Sequence, residues 1–224
     1  MTSAPLLKVC GLRDAATAAG AAPLAIDYIG FVFAPSKRRV TALEARDMIA
    51  AMRQAGGRQR FVGVFVNPPL EELDAVLATA PLDVVQLHGA ETAAFVRAFR
   101  ERHPAVGVWK AIGVSGEADH SAEAVAARLA PYAGLLNALL LDAYDPHVGG
   151  GTGKTFRWDA IPSYSAWTEQ EGIPLFAAGG LHADNVGELL AAHAVGGVDV
   201  SSGVETDGAK DLTKIRTFVE RVKP

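Results

Sequence analysis

The chain has 224 residues, half of them hydrophobic and 21% charged, with 21 Lys and Arg against 25 Asp and Glu for a formal charge of −4. That length supplies a core without disulfide staples, the composition excludes a disordered chain, and the small negative charge gives no reason to bind nucleic acid or an anionic membrane. A single cysteine closes no internal disulfide, so a reducing cytoplasm is the expected compartment. The opening MTSAPLLKVCGLRD has no apolar run long enough for a signal-peptide core. No later segment approaches the ~20 apolar residues of a membrane helix, and the reading is of a soluble protein.

Short β-branched or aliphatic runs alternate with Ala/Leu/Glu/Arg-rich stretches along the whole sequence. A strand is predicted at 6–10 and a helix at 13–20, then a strand at 27–33. The next helix spans 41–54, where Thr41 and Glu44 have capping-box spacing. A buried strand at 60–66 precedes a helix at 69–78, with Pro and two Glu in its first turn. Strand 82–87 precedes helix 91–102, and strand 105–112 precedes helix 118–129. Strand 137–141 leads through a Gly-rich loop to helix 158–168. The last units pair strand 173–178 with helix 183–193 and strand 197–201 with helix 211–222. Eight units in 224 residues allow about 28 residues each, close to the ~30 of a strand, a helix and two connections. Apolar strands alternating with helices imply a parallel sheet covered by helices. A closed (β/α)8 barrel and an open doubly wound sheet both satisfy this, and the count of eight favours the barrel. No linker-like stretch divides the chain, so one domain over 1–224 is expected.

In such a barrel the active site is built where strands end and the following loops begin. Those positions hold Cys10-Gly11, Ser36 through Arg39, Asn67, Gln86, His88-Gly89, Gly113, Asp142, Gly179-Gly180 and Ser201-Ser202-Gly203. Small residues after the seventh and eighth strands suit phosphate, because glycine lets backbone N–H groups approach an anion closely. Tight turns alone are the blander reading of these glycines. Two such loops at the right strand ends favour phosphate. The run Gly149 to Thr155 looks like a nucleotide-binding P-loop but fails its spacing, since Val148 stands where the first Gly belongs. An anion-binding or mobile lid loop is the better reading.

Cys10 ends the first strand. A lone buried cysteine is more often inert packing, but its position and a neighbouring cation such as Lys8 or an Arg would suit a thiolate. Asp142 follows the apolar run 138–141, where an acid is costly unless paired or used, and partial burial would suit it to proton donation. The two come from distant strands and would face each other across a barrel mouth as an acid–base pair. Arg38 and Arg39 offer bidentate pairing to a carboxylate, with a solvated basic loop as the alternative. For His88 a backbone hydrogen bond and a substrate contact weigh equally. The six histidines show no metal-ligand spacing, so no metal is expected.

The motifs KVCGLRD (8–14), IGFVFAPSKRRV (29–40), FVGVFVN (61–67), DVVQLHGAE (83–91), KAIGV (110–114), LLLDA (139–143), GGTGKTFRWDAI (150–161), AAGGLHADNV (177–186) and VDVSSGVE (198–205) together resemble phosphoribosylanthranilate isomerase. The resemblance runs nearly end to end. It implies a (β/α)8 barrel that performs an Amadori rearrangement in tryptophan biosynthesis without a cofactor, with Asp142 as general acid and Cys10 as general base. It places Arg38 at the substrate's carboxylate, Gln86 and His88 at the pocket wall and Asp199 near the amino group. Phosphate would rest on backbone around Gly179, Gly180, Ser201 and Ser202, with Gly153 as a further contact. The chain departs from the commoner family form after Pro35, where the loop is a residue short and Arg39 replaces an aromatic or aliphatic residue. The choice between Arg38 and Arg39 therefore stays open. A metal-dependent ribulose-phosphate epimerase would need paired His and Asp ligands on central strands, which the sequence lacks. A catalytically dead barrel would not need both Cys10 and Asp142. No exposed apolar helix face stands out, so a monomer is the default expectation and a homodimer the alternative.

Overall fold

Alternation along each strand creates two surfaces, and both are filled. The computed structural model describes residues 4–114, 119–143 and 158–224. In it β1 (Leu6–Cys10), β2 (Tyr28–Val32), β3 (Arg60–Phe65), β4 (Val84–Leu87), β5 (Gly107–Val114), β6 (Ala138–Ala143), β7 (Leu175–Ala177) and β8 (Gly197–Val200) pair in parallel and in order. β8 pairs back onto β1 from Leu6↔Gly197 to Val9↔Val200, closing the barrel. The (β/α)8 expectation is met and the open sheet is excluded.

The intervening helices are α1 (Ala15–Ala21), α2 (Ala42–Gln54), α3 (Leu70–Thr79), α4 (Ala93–Arg102), α5 (Ala122–Leu129), α6 (Ile161–Glu171), α7 (Val186–Ala192) and α8 (Leu212–Val222). α8 shows why they pack: Ile215, Phe218, Val219 and Val222 are buried at helical spacing on one face. Each such side chain contributes about 1.5–3 kcal/mol on full burial. The outward-facing strand residues, such as Leu7 and Val9, join the core that these helices cover.

The other strand face fills the lumen. Tyr28 on β2 meets Trp109 on β5 at 4.8 Å and Phe176 on β7 at 6.0 Å between ring centroids. These strands are not neighbours, so the rings touch across the barrel. Tyr28 is the register partner of Lys8, and Lys8 of Asp199. By the two-residue period, Lys8 and Cys10, Gln86 and His88, and Leu140 and Asp142 all lie on the lumen side. The aromatics close the N-terminal end and the polar residues gather towards the C-terminal end.

Local capping sets many element starts. Thr41 and Glu44 form the expected capping box. Asp14, Thr92, Ser121 and Asp211 each accept from a backbone N–H in the first turn of α1, α4, α5 and α8, so these helices begin later than the sequence pattern suggests. Pro69 stands at the N-cap of α3 rather than inside it. Three strand pairs share a second device. Asp27 accepts from Leu7 N (2.7 Å), Asp83 from Phe61 N (2.7 Å) and Asn137 from Val108 N (2.8 Å). In each case the residue just before an even strand binds the preceding odd strand.

Two differences from the sequence reading matter for the site. Glu91, assigned there to a helix, is buried below α4. It accepts from Asn67 N (2.8 Å), from Gly89 N and from Lys110 Nζ (3.0 Å). Beyond β8, where no regular structure was expected before α8, an antiparallel pair forms from β9 (Glu205–Thr206) and β10 (Ala209–Lys210).

Candidate active site

Cys10 ends β1 and Asp142 lies near the end of β6, both on the lumen side. Between them runs a chain of charges. Lys8 Nζ donates to Asp199 Oδ2 at 2.9 Å, both side chains being almost inaccessible. His88 Nε2 lies 3.3 Å from Asp142 Oδ2, and both of these side chains are partly open to solvent. Asp199 feels the charges of Asp142 and His88 on one side and of Lys8 on the other, and Lys8 interacts with Cys10. The pair reached from strand position is therefore joined electrostatically through Asp199.

Burial pushes the Cys10 thiol up, and the attraction of Lys8 and Lys210 only partly offsets it. Lys8 is the neighbouring cation the sequence offered, and its charge favours the thiolate as expected, although burial has the larger effect. Burial also pushes the Asp199 carboxyl up against the pull of Lys8. Lys8 itself is raised: burial opposes its charge, but Asp199 and Cys10 together outweigh that. Gly30 is required beside this group, because a Cβ there would sit 2.7 Å from Cys10 Sγ and 3.1 Å from Lys8 Cε. Asp199 Oδ1 and Gln86 Oε1 are buried and accept no hydrogen bond from any described residue. Buried acceptors left unpaired are costly and rare, and two at one barrel end suit a ligand that brings donors.

Arg38 and Arg39 separate clearly. Arg38 Nε and Nη2 donate to Glu205 Oε1 and Oε2 at 2.6 and 2.8 Å. Its stem lies over Gly11, whose φ of +89° no side chain would readily adopt and whose Cβ would meet Arg38 Cδ at 2.6 Å. Arg39 is exposed and lines a cleft with Arg13, Asp14, Glu44 and Lys210, and no bond joins it to Glu205 among the described residues. Arg38 is thus the arginine held beside Cys10, whose charge it feels.

Glu205 and Lys210 were not singled out from the sequence. Lys210 Nζ donates to Glu205 Oε1 (2.6 Å) and Ser201 O (2.9 Å), and Ser201 Oγ donates to Cys10 O (3.0 Å). Burial alone would raise Glu205, but hydrogen bonds and charge from Arg38 and Lys210 hold it down at about 2. The signal for this arrangement was present as Asp207-Gly208. Both residues have positive φ, 52° and 76°, the turn chemistry of a two-residue hairpin.

The glycine loops after β7 and β8 interlock. Gly179 and Gly180 both have positive φ, and Asn185 pins their loop by donating from Nδ2 to Gly180 O at 3.0 Å. A Cβ on Gly203 would run into the Leu181 carbonyl oxygen, so the Ser201-Ser202-Gly203 loop lies backbone to backbone against the other. Gly179, Gly180, Ser201 and Ser202 are thus brought to one place. Gly153 and its Gly-rich loop lie outside the described residues.

The family described as N-(5'phosphoribosyl)anthranilate (PRA) isomerase matches residues 7–221. An N-(5'-phosphoribosyl)anthranilate isomerase of Brevibacillus brevis is 51% identical over 217 residues, covering 97% of this chain and 93% of the relative. The solved phosphoribosyl anthranilate isomerase of Thermotoga maritima superposes with a TM-score of 0.79 at 33% identity, covering 98% of each chain. A solved structure of a phosphoribosyl anthranilate isomerase in complex with reduced 1-(o-carboxyphenylamino)-1-deoxyribulose 5-phosphate superposes with a TM-score of 0.76 at 31% identity and 98% of each chain. By sequence and by fold, over nearly its whole length, the chain belongs to the N-(5'-phosphoribosyl)anthranilate isomerase family.

Proposed function

We propose that Cys10 and Asp142 divide the proton work of this isomerase. The chain converts N-(5'-phosphoribosyl)anthranilate to 1-(o-carboxyphenylamino)-1-deoxyribulose 5-phosphate, a step of tryptophan biosynthesis. Asp142 gives its proton to the furanose ring oxygen, the bond from that oxygen to C1' breaks, and the anthranilate nitrogen supplies the electron pair of a protonated Schiff base. Cys10 then takes the proton from C2', and the resulting enolamine tautomerises to the ketone. The reactive state carries negative charge on Cys10 and a proton on Asp142. Lys8 and Lys210 favour that charge, and His88, 3.3 Å from Asp142 Oδ2, orients the acid. Every step is a proton transfer, so no cofactor is called for.

Arg38 receives the anthranilate carboxylate, Asp199 and Gln86 take the donors of the amino and sugar groups, and phosphate rests on the loops at Gly179, Gly180, Ser201 and Ser202, with Gly153. No helix among the described residues is long and apolar enough to cross a membrane, and the reaction is assigned to the cytoplasm. A monomer holds all the residues named here.

The observation that carries the acid–base reading is that Cys10 and Asp142 share the lumen face at the C-terminal ends of their strands, with the Lys8–Asp199 ion pair next to Cys10 on the same face and His88 beside Asp142. The test is turnover of freshly generated phosphoribosylanthranilate, followed by loss of its fluorescence, with the rearranged product confirmed by mass. Cys10→Ser and Asp142→Asn each lose about 10²–10⁴-fold in kcat while binding of the reduced product analogue largely survives. Near-full kcat in either variant would overturn the assignment.

A further inference from the structure

We propose that Glu205 is a positioning residue of the isomerase, holding Arg38 so that its remaining guanidinium edge meets the substrate's benzoate carboxylate. The proposal rests on Arg38 as the carboxylate receptor and adds how that arginine is fixed. A guanidinium is a planar fork with two edges that each match a carboxylate. Glu205 occupies the edge formed by Nε and Nη2, at 2.6 and 2.8 Å. The Nη1/Nη2 edge is left to pair a second carboxylate in the same bidentate way. Without Glu205, binding would have to order a long, rotamer-rich side chain, and that cost would come out of affinity for the carboxylate.

The anchor is itself rigid. Glu205 opens the β9–β10 pair, which turns at Asp207-Gly208. Lys214 Nζ donates to Glu205 O at 2.7 Å. Arg13 bridges this hairpin to the loop that carries Arg38, donating to Gly208 O and to Lys37 O, each at 2.8 Å. The second cation on Glu205 is Lys210, whose side chain is only 2% exposed and which continues through Ser201 to the Cys10 backbone. One carboxylate therefore ties the carboxylate receptor, the loop after β8 and the end of β1 into one frame. Arg39 has no such anchor: it is exposed, and its backbone bridges to Val32 instead.

The experiment compares wild type, Glu205→Gln, Arg38→Ala and the double variant with two probes. One is reduced 1-(o-carboxyphenylamino)-1-deoxyribulose 5-phosphate, which bears the carboxylate, and the other is ribulose 5-phosphate, which lacks it. Glu205→Gln should raise KM for phosphoribosylanthranilate about tenfold or more with kcat within about threefold, the pattern of lost binding shared by ground and transition states. It should weaken the carboxylate-bearing probe by a similar factor, weaken ribulose 5-phosphate far less through Lys210 and Ser201, and add only that smaller loss in the Arg38→Ala background. Glu205→Asp keeps the charge and withdraws the carboxylate, so it should show a smaller loss with the same selectivity. This arm serves if Glu205→Gln folds poorly. Equal loss for both probes, or an effect that persists undiminished without Arg38, would overturn the role of Glu205 while leaving Arg38 in place. Carboxylate selectivity unchanged by Arg38→Ala would overturn the assignment of Arg38 and this proposal with it.

Discussion

Cys10 is asked to be buried, which favours the thiol, and to act as a base, which needs the thiolate. The compromise is visible in its neighbours: burial pushes the thiol up, and Lys8 is the largest opposing influence. Lys8→Met should therefore push the Cys10 ionisation to still higher pH. Because Cys10 is the chain's single cysteine, the pH dependence of its alkylation by iodoacetamide reports that one group. The midpoint should move up in Lys8→Met, and an unchanged midpoint would mean that Lys8 does not govern the thiol. Stability should also fall, by about 3–5 kcal/mol, because Asp199 is left as a buried charge without its partner, and urea unfolding measures this. That Cys10, Asp142, His88 and Gln86 come together was legible because they lie on or just past strands, where one-dimensional order translates into a common place; Asp199 entered only through the family resemblance. Glu205 and Lys210 were not legible, because their importance comes from what they touch: Arg38 lies 167 positions away from Glu205 in sequence, and no local pattern encodes that contact.

Elements whose ends are set by neighbouring residues could be read to within a few residues, and those set by tertiary contacts could not. The Thr41–Glu44 capping box is local and stands as expected. Glu91 looked like a first-turn helix residue, but the Lys110 ammonium and two backbone N–H groups, those of Asn67 and Gly89, draw its carboxylate inward. The β9–β10 strands are two residues each, too short to show a period, so only the Asp-Gly turn could have announced them. The glycines of the loops after β7 and β8 suggested a phosphate site, but nothing local showed that the loops form a packed pair. That packing gives Gly203 its own test. A Cβ there meets the Leu181 carbonyl, and backbone cannot swing aside as a side-chain tip can. Gly203→Ala should destabilise the protein by about 1–3 kcal/mol, read as a lower Tm. It should also weaken ribulose 5-phosphate, since both loops shift together. A variant with wild-type Tm and affinity would show that the two loops are not held against each other.

At the scale of the whole molecule, the charges that close the barrel and cap its helices make stability depend on pH. Glu205 is held at about 2 against an ordinary 4.5. Glu44 is lowered by the backbone and side chain of Thr41, Asp74 by His103, Asp119 by Ser121 and Asp211 by Thr206 and its cap. A carboxyl lowered in the fold contributes stability above its unfolded value and loses it as pH falls through the folded value. Asp199 has the opposite sign, because burial raises it, so its contribution grows as the solution becomes acid. Four groups on or just before α2, α3, α5 and α8 and one on the hairpin thus oppose one in the barrel. Tm should hold between about pH 6 and 8 and decline from about pH 5 to pH 3. Added salt should flatten the share from the exposed groups more than the share from Glu205, whose partners are shielded from solvent. Glu205→Gln removes that share altogether, so its Tm should fall less steeply over the same acid range. A Tm that rises on acidification would mean that neutralising Asp199 in the lumen outweighs every lowered carboxylate outside it.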